Sequence, residues 1–277
     1  MQNSVYKSAE KKKIFRARYQ QLLDTLPFIK RSVNTPFGET FLLEAGEEAN
    51  PAVVLLHGSC TNSAFWFNDI NALLGSYHVF ALDIPGEAGN SGEFRLNLDS
   101  ADYAVWLNSV LDALNLPRAS IAGNSLGGWM ALRFATAYPE RVENLMLFAS
   151  GGLAEIRADY LERAQAAEEA EEPLTIDEGG VQTEPLPNEI LDFLSLILDS
   201  YHPLNSPMPL FSGEQLKWLT MPVLYVAGLK DILLDSEAGE AALKESVPHA
   251  EICLLPNCGH VITNAYVWML PFLAKCM

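Results

Sequence analysis

The stretch best suited to chemistry is Gly123-Asn124-Ser125-Leu126-Gly127, a serine held between two glycines. Residues 118–122 before it are short and apolar enough for a buried strand, and after it Trp129, Met130, Leu132, Phe134 and Ala135 recur at helical spacing. The serine therefore sits where strand turns into helix. Such a turn cramps the backbone, and the flanking glycines lack the Cβ atoms that would collide there. The hydroxyl then projects away from the sheet, and the following helix aims free backbone N–H groups at whatever the hydroxyl attacks. A serine hydroxyl is a weak nucleophile near neutral pH. It needs a base within hydrogen-bond reach and a third group to orient that base.

Strand, Gly-x-Ser-x-Gly, helix resembles the nucleophile elbow of the α/β-hydrolase superfamily, in its serine carboxylesterase-like branch. The resemblance implies a chain order of nucleophile, acid, then histidine. Five histidines are available: His57, His78, His202, His249 and His260. His78 and His249 lie at the starts of apolar strands, His202 lies in an insertion, and His57 ends a strand. His260 follows a strand end and the Gly-containing loop 254–259, the family's position for the base, and is expected to open the last helix. The acid is expected at a strand end between Ser125 and His260. Asp231, in the turn after the strand 223–227, fits; Asp235 is the fallback and otherwise the cap of the next helix.

An acyl-transfer site also needs donors for an oxyanion. One is the backbone N–H of Leu126. His57-Gly58-Ser59-Cys60 is similar to the family's His-Gly loop, which makes the N–H of Ser59 the second donor and that of Cys60 its alternative. In this reading His57 shapes the loop and moves no proton. Residues 83–91, Asp-Ile-Pro-Gly-Glu-Ala-Gly-Asn-Ser, are similar to the family's Asp-x-x-Gly-x-Gly-x-Ser loop but one residue longer between the glycines. Their expected role is to hold neighbouring turns.

The elements that must position these groups follow from periodicity. Phe15, Tyr19, Leu22, Leu23 and Leu26 mark one face of an N-terminal helix whose other face carries Lys7, Lys11, Lys12, Lys13, Arg16 and Arg18. A basic amphipathic helix suits either an anionic membrane or an acidic body of its own chain, and the second is favoured. A hairpin is expected over 31–45. Apolar runs at 52–56, 79–82, 120–122, 145–148, 223–226 and 252–255 alternate with helical stretches at 64–74, 101–114, 126–138, 236–246 and 261–275. This alternation implies right-handed crossovers and an α/β fold, a mostly parallel, doubly wound sheet, with a helical cap inserted before the last two core strands. The expected division is an N-terminal helix at 1–30, core at 31–150, cap insertion at 151–220 and core again at 221–277. The insertion is acidic over Glu155, Asp159, Glu162 and the run from Glu168 to Glu184, and apolar over 190–198, which reads as the roof of a pocket. Cys60, Trp66, Phe67, Trp129, Phe193 and Phe211 are the pocket candidates, each with core packing as the plainer alternative.

With 277 residues, 49% hydrophobic and 19% charged, the chain is an ordinary folded globule. A formal net charge of -17 excludes a phosphate-neutralising surface, so no nucleic-acid partner is expected, and it disfavours highly anionic substrates. Cys60, Cys253, Cys258 and Cys276 lack zinc-ligand spacing and read as free thiols, and neither metal nor cofactor is expected. No apolar run suits a secretory signal or a membrane span, so stable membrane insertion is not expected and cytoplasmic residence is the default. The expected partner is a small-molecule substrate; no sequence signal bears on oligomeric state. The expected function is a serine hydrolase that cleaves a carboxylic ester of a small, largely apolar substrate through an acyl-enzyme. Two alternatives stand beside it: hydrolysis of a carbon–carbon bond in dienoic ring-fission products, and ligand binding without turnover.

Overall fold

The computed structural model describes residues 4–160, 162, 187–204 and 206–276. The acidic run from Glu168 to Glu184 lies outside the described residues. One sheet is built from β1 (Ile29–Thr35), β2 (Gly38–Ala45), β3 (Ala52–Leu56), β4 (His78–Leu82), β5 (Ala119–Asn124), β6 (Val142–Phe148), β7 (Val223–Gly228) and β8 (Glu251–Leu255). Their order is β1-β2-β4-β3-β5-β6-β7-β8. The hairpin β1–β2 is antiparallel and joins β4 antiparallel, while every pairing from β4 through β8 is parallel.

The helices are α1 (Ala9–Thr25), α2 (Phe67–Leu73), α3 (Asp102–Ala113), α4 (Leu126–Ala137), α5 (Asn188–Ser200), α6 (Gly213–Leu216), α7 (Ser236–Ser246) and α8 (Tyr266–Cys276). Continuous apolar strands work here because both faces are covered. Val54, Leu56, Phe80 and Leu82 pack with Trp106 of α3 and Phe134 of α4 in one layer. Val53, Leu55, Val79 and Ala81 pack in the other with Phe15 and Tyr19 of α1, Ile70 of α2 and Met269 of α8.

Helix α1 is docked on its own chain. Ser8 caps it by accepting the Lys11 N–H, and Phe15, Tyr19 and Leu23 are fully buried. Each such side chain contributes about 1.5–3 kcal/mol of burial. Its basic residues face acceptors of the body: Lys11 pairs with Asp199 at 2.6 Å, Lys12 with Glu93, and Lys7 Nζ donates to the Leu198 carbonyl at 2.7 Å. The segment before it is fastened to the chain leaving α5, with Lys7 N–H on the Ser200 carbonyl and His202 N–H on the Val5 carbonyl, both at 2.9 Å.

Two boundaries differ from the periodicity. The stretch 64–74 is split into a 3-10 turn, Ser63–Trp66, followed by α2. The last helix begins at Tyr266, not at 261. Asn264 has φ +54°, which is not helical, and Asp69 Oδ1 accepts the Tyr266 N–H at 2.7 Å, so the cap stands there. Residues 260–265 are thereby left as a loop, and His260 belongs to it.

Burial pushes the Asp69 carboxyl up to about 7. A folded-state value above the unfolded one gives stability that is fully present below the unfolded value and lost as pH rises through the folded value. The stability advantage of wild type over Asp69→Asn, measured by urea unfolding, should therefore shrink between pH 5 and 7 by up to about 1.4 kcal/mol per unit. Above pH 8 it should level off. A difference that stays flat across the whole range would show that Asp69 is ionised throughout.

Candidate active site

Ser125 forms the turn between β5 and α4 with φ +50° and ψ -110°, a conformation that costs about 1–3 kcal/mol and persists only where neighbours enforce it. They do so here. Its N–H donates to the Phe148 carbonyl at 2.9 Å, and its carbonyl accepts from Trp129 N–H at 3.0 Å. A Cβ on Gly123 would overlap the Gly127 carbonyl oxygen, and one on Gly127 would overlap that of Leu56. Both positions require glycine because backbone from the next turn or strand occupies the space.

His260, in the loop after β8, lies beside the serine. Its Nε2 is 2.9 Å from Ser125 Oγ, and its Nδ1 is 2.8 Å from Asp231 Oδ2. A carboxylate only accepts, so Nδ1 carries the proton and Nε2 is left to accept from the hydroxyl. Asp231, in the turn after β7, is 4% exposed. Its second oxygen, Oδ1, accepts the N–H groups of Leu233 at 2.8 Å and Leu234 at 3.0 Å, which fixes the carboxylate plane. Asp235 caps α7 by accepting the Ala238 N–H.

Three of the other four histidines have ring partners elsewhere. His57 Nδ1–H donates to the Gly58 carbonyl at 2.7 Å and Nε2 accepts the Ile84 N–H at 2.9 Å, while burial lowers its pKa and keeps the ring neutral. It ties the 57–61 loop to the 83–91 loop. His78 meets Glu44, and His249 meets the Met221 carbonyl.

The His57-Gly58-Ser59-Cys60 loop abuts the serine, since a Cβ on Gly58 would stand 3.6 Å from that of Ser125. Among the described residues the N–H groups of Ser59 and Leu126 have no acceptor. The Cys60 N–H does have one: it donates to Glu87 Oε2 at 2.9 Å, so it is not free. Burial, with Glu87 nearby, pushes the Cys60 thiol up to about 12, and it stays protonated.

The aromatic candidates are not gathered in one place. Trp129 is fully buried between Tyr103 and Phe211, ring centroids 6.1 Å from each, with its Nε1–H on the Pro209 carbonyl. Phe193 of α5 stacks on Phe15 of α1 and on Phe65. Trp66 is buried, and Phe67 is exposed beside Phe28. Glu87, Tyr201 and Arg95 stand near the loop of Ser59 and Cys60 but have no role in the sequence reading. The only hint of them was the extra residue between the glycines of the 83–91 loop.

Comparisons with known proteins bear on the family and the fold. A family model described as "Alpha/beta hydrolase family" matches residues 53–269. Carboxylesterase YbfK of Bacillus subtilis (strain 168) is 27% identical over 261 residues, covering 90% of this chain and 88% of its own. The crystal structure of that carboxylesterase, CesB (YbfK), superposes with a TM-score of 0.83 at 26% identity, covering 96% of this chain and 99% of its own. A 2-hydroxy-6-oxononadienedioate/2-hydroxy-6-oxononatrienedioate hydrolase of Burkholderia vietnamiensis is 29% identical over 237 residues, 76% of this chain and 81% of its own. With the family model spanning most of the sequence and the strand order and elbow in place, this chain belongs to the alpha/beta hydrolase family and is carboxylesterase-like.

Proposed function

We propose that the protein is a serine hydrolase that cleaves a carboxylic ester of a small, largely apolar substrate through an acyl-enzyme. The observation that carries this is the continuous hydrogen-bond line from Ser125 Oγ through both ring nitrogens of His260 to Asp231, 2.9 Å and then 2.8 Å. In this mechanism Ser125 Oγ attacks the ester carbonyl as His260 Nε2 takes its proton. The carbonyl oxygen becomes an oxyanion facing the N–H groups of Ser59 and Leu126. Collapse expels the alcohol, which leaves with the proton from His260. Water then attacks the acyl carbonyl as His260 takes its proton, and collapse breaks the bond to Ser125 Oγ, which recovers the proton from His260 as the acid leaves. Asp231 accepts from Nδ1–H throughout and stabilises the transient imidazolium. Every group in the cycle belongs to the chain itself, apart from substrate and water.

A second reading, hydrolysis of a carbon–carbon bond in a dienoic ring-fission product, is favoured by relatives such as the Burkholderia hydrolase. Arg95, the arginine near the Ser59–Cys60 loop, is engaged with the Gly86 and His202 carbonyls and the Tyr201 ring, and the ester reading needs no cationic anchor. Steady-state assays of short-chain p-nitrophenyl esters beside a dienoic ring-fission product separate the two. Faster turnover of the dienoic compound would exchange their order.

A fluorophosphonate probe should label wild type and leave Ser125→Ala unlabelled. The same substitution should lower p-nitrophenyl butyrate hydrolysis by about 10⁴-fold or more. Folded wild type that resists labelling would instead indicate a ligand-binding protein without turnover.

Asp231→Asn should fold and still lose about 10³–10⁴-fold in kcat. The Leu233 and Leu234 N–H groups require an acceptor at Oδ1, so the new amide NH₂ must face His260 Nδ1. That reverses the tautomer and turns Nε2 into a donor toward Ser125. Near-normal kcat in this variant would sink the role given to Asp231.

A further inference from the structure

Glu87 lies in the loop after β4 and is 5% exposed, a position where a carboxylate is costly unless several donors reach it. Three do, from two other parts of the chain. Oε1 accepts from Tyr201 Oη at 2.6 Å, and Oε2 accepts the Cys60 N–H at 2.9 Å and, more weakly, the Ser59 hydroxyl at 3.4 Å. Burial raises the pKa of Glu87, and the Arg95 guanidinium, which lies 5.3 Å over the Tyr201 ring and donates to the Gly86 and His202 carbonyls, counters this in part.

We propose that Glu87 is a positioning residue that aims the Ser59 N–H at the oxyanion, by holding the Cys60 N–H in a turn and fastening that turn through Tyr201 to the chain leaving α5. The assignment rests on the ester-hydrolase reading above. Cys60 has φ +58°, a left-handed conformation that costs a side-chain-bearing residue about 1–2 kcal/mol and must be held by something. Glu87 is what holds it. With the Cys60 N–H engaged, the preceding N–H of Ser59 is left without an acceptor among the described residues, as an oxyanion donor must be.

The base on which Glu87 stands is itself rigid. Fully buried Asp83 accepts the N–H groups of Ser63 and Asn90 at 2.9 and 2.6 Å and the Tyr19 hydroxyl at 2.9 Å, locking the 83–91 loop between α1 and the Ser63 turn. Removing the Glu87 carboxylate leaves the Cys60 N–H buried and unpaired. The turn then relaxes, and the Ser59 N–H goes with it.

The test is Glu87→Leu, which offers the Cys60 N–H no acceptor; Glu87→Gln is the rescue control, since its amide oxygen still accepts that N–H while its NH₂ donates to the Tyr201 oxygen. On p-nitrophenyl butyrate, kcat of Glu87→Leu should fall about 10- to 100-fold with KM within about threefold of wild type, and Glu87→Gln should keep kcat within about threefold. For Glu87→Leu the inhibition constant of an alkyl trifluoromethyl ketone, whose hemiketal oxygen occupies the oxyanion site, should rise by the same factor by which kcat/KM falls. End-point fluorophosphonate labelling of Ser125 should remain complete. Should Glu87→Leu fail to fold, Tyr201→Phe serves: it removes one tether, keeps the Cys60 contact, and should lower kcat about three- to tenfold at unchanged KM. A folded Glu87→Leu with wild-type kcat and ketone affinity, or one altered in KM alone, overturns the assignment. Wild type that the fluorophosphonate never labels overturns the ester-hydrolase reading and this inference with it, whereas labelled wild type with an unaltered Glu87→Leu overturns this inference alone.

Discussion

The arrangement depends on one imidazole with a partner on each nitrogen. His260 meets Ser125 from the end of β5 and Asp231 from the end of β7, while it sits itself in the loop after β8. Three strand ends must therefore stand at fixed separations, which a parallel sheet covered on both faces provides. The strand register sets those separations, with Phe148 opposite Asn124 across β5 and β6 and opposite Val226 across β6 and β7. Packing on two faces is what lets a polar line 12% exposed at its imidazole hold its geometry.

Around that line, polar groups are buried in a consistent manner. Asp83, Glu87 and Asp231 each carry a carboxylate into the interior, and each accepts at least two donors from backbone or side chain. Solvation lost on burial is replaced by N–H and O–H groups of neighbouring loops, so the acids act as staples between turns. Only Asp231 meets the His260 imidazole. The other two brace the loops beside Ser125.

The sheet and the convergence of Ser125, Asp231 and His260 were legible because each residue ends an apolar run, and apolar runs bounded by glycine are a strong local signal. The start of the last helix was not. A carboxylate from another helix, Asp69, decides where it begins, and helical periodicity is blind to a cap supplied across 197 positions. The aromatic candidates show a similar limit: composition indicates that Trp129 and Phe193 are buried, but the direction of burial depends on which helix arrives opposite. Phe193 meets α1, a partner 178 positions earlier. Glu87 was visible only as an unexplained extra residue in a loop, since its importance comes from Cys60 and Tyr201 and not from its neighbours in the chain.

The pairing of the N-terminal segment with the chain leaving α5 has a temporal side. Lys11 and Asp199 are 188 positions apart, so at ribosomal elongation rates the helix waits roughly ten to forty seconds for its counterpart to emerge. Throughout that interval Phe15 and Tyr19 lack Phe193, the ring they meet in the folded chain. Docking of α1 is therefore a late event of folding, and β7, β8 and His260 follow Asp199 later still.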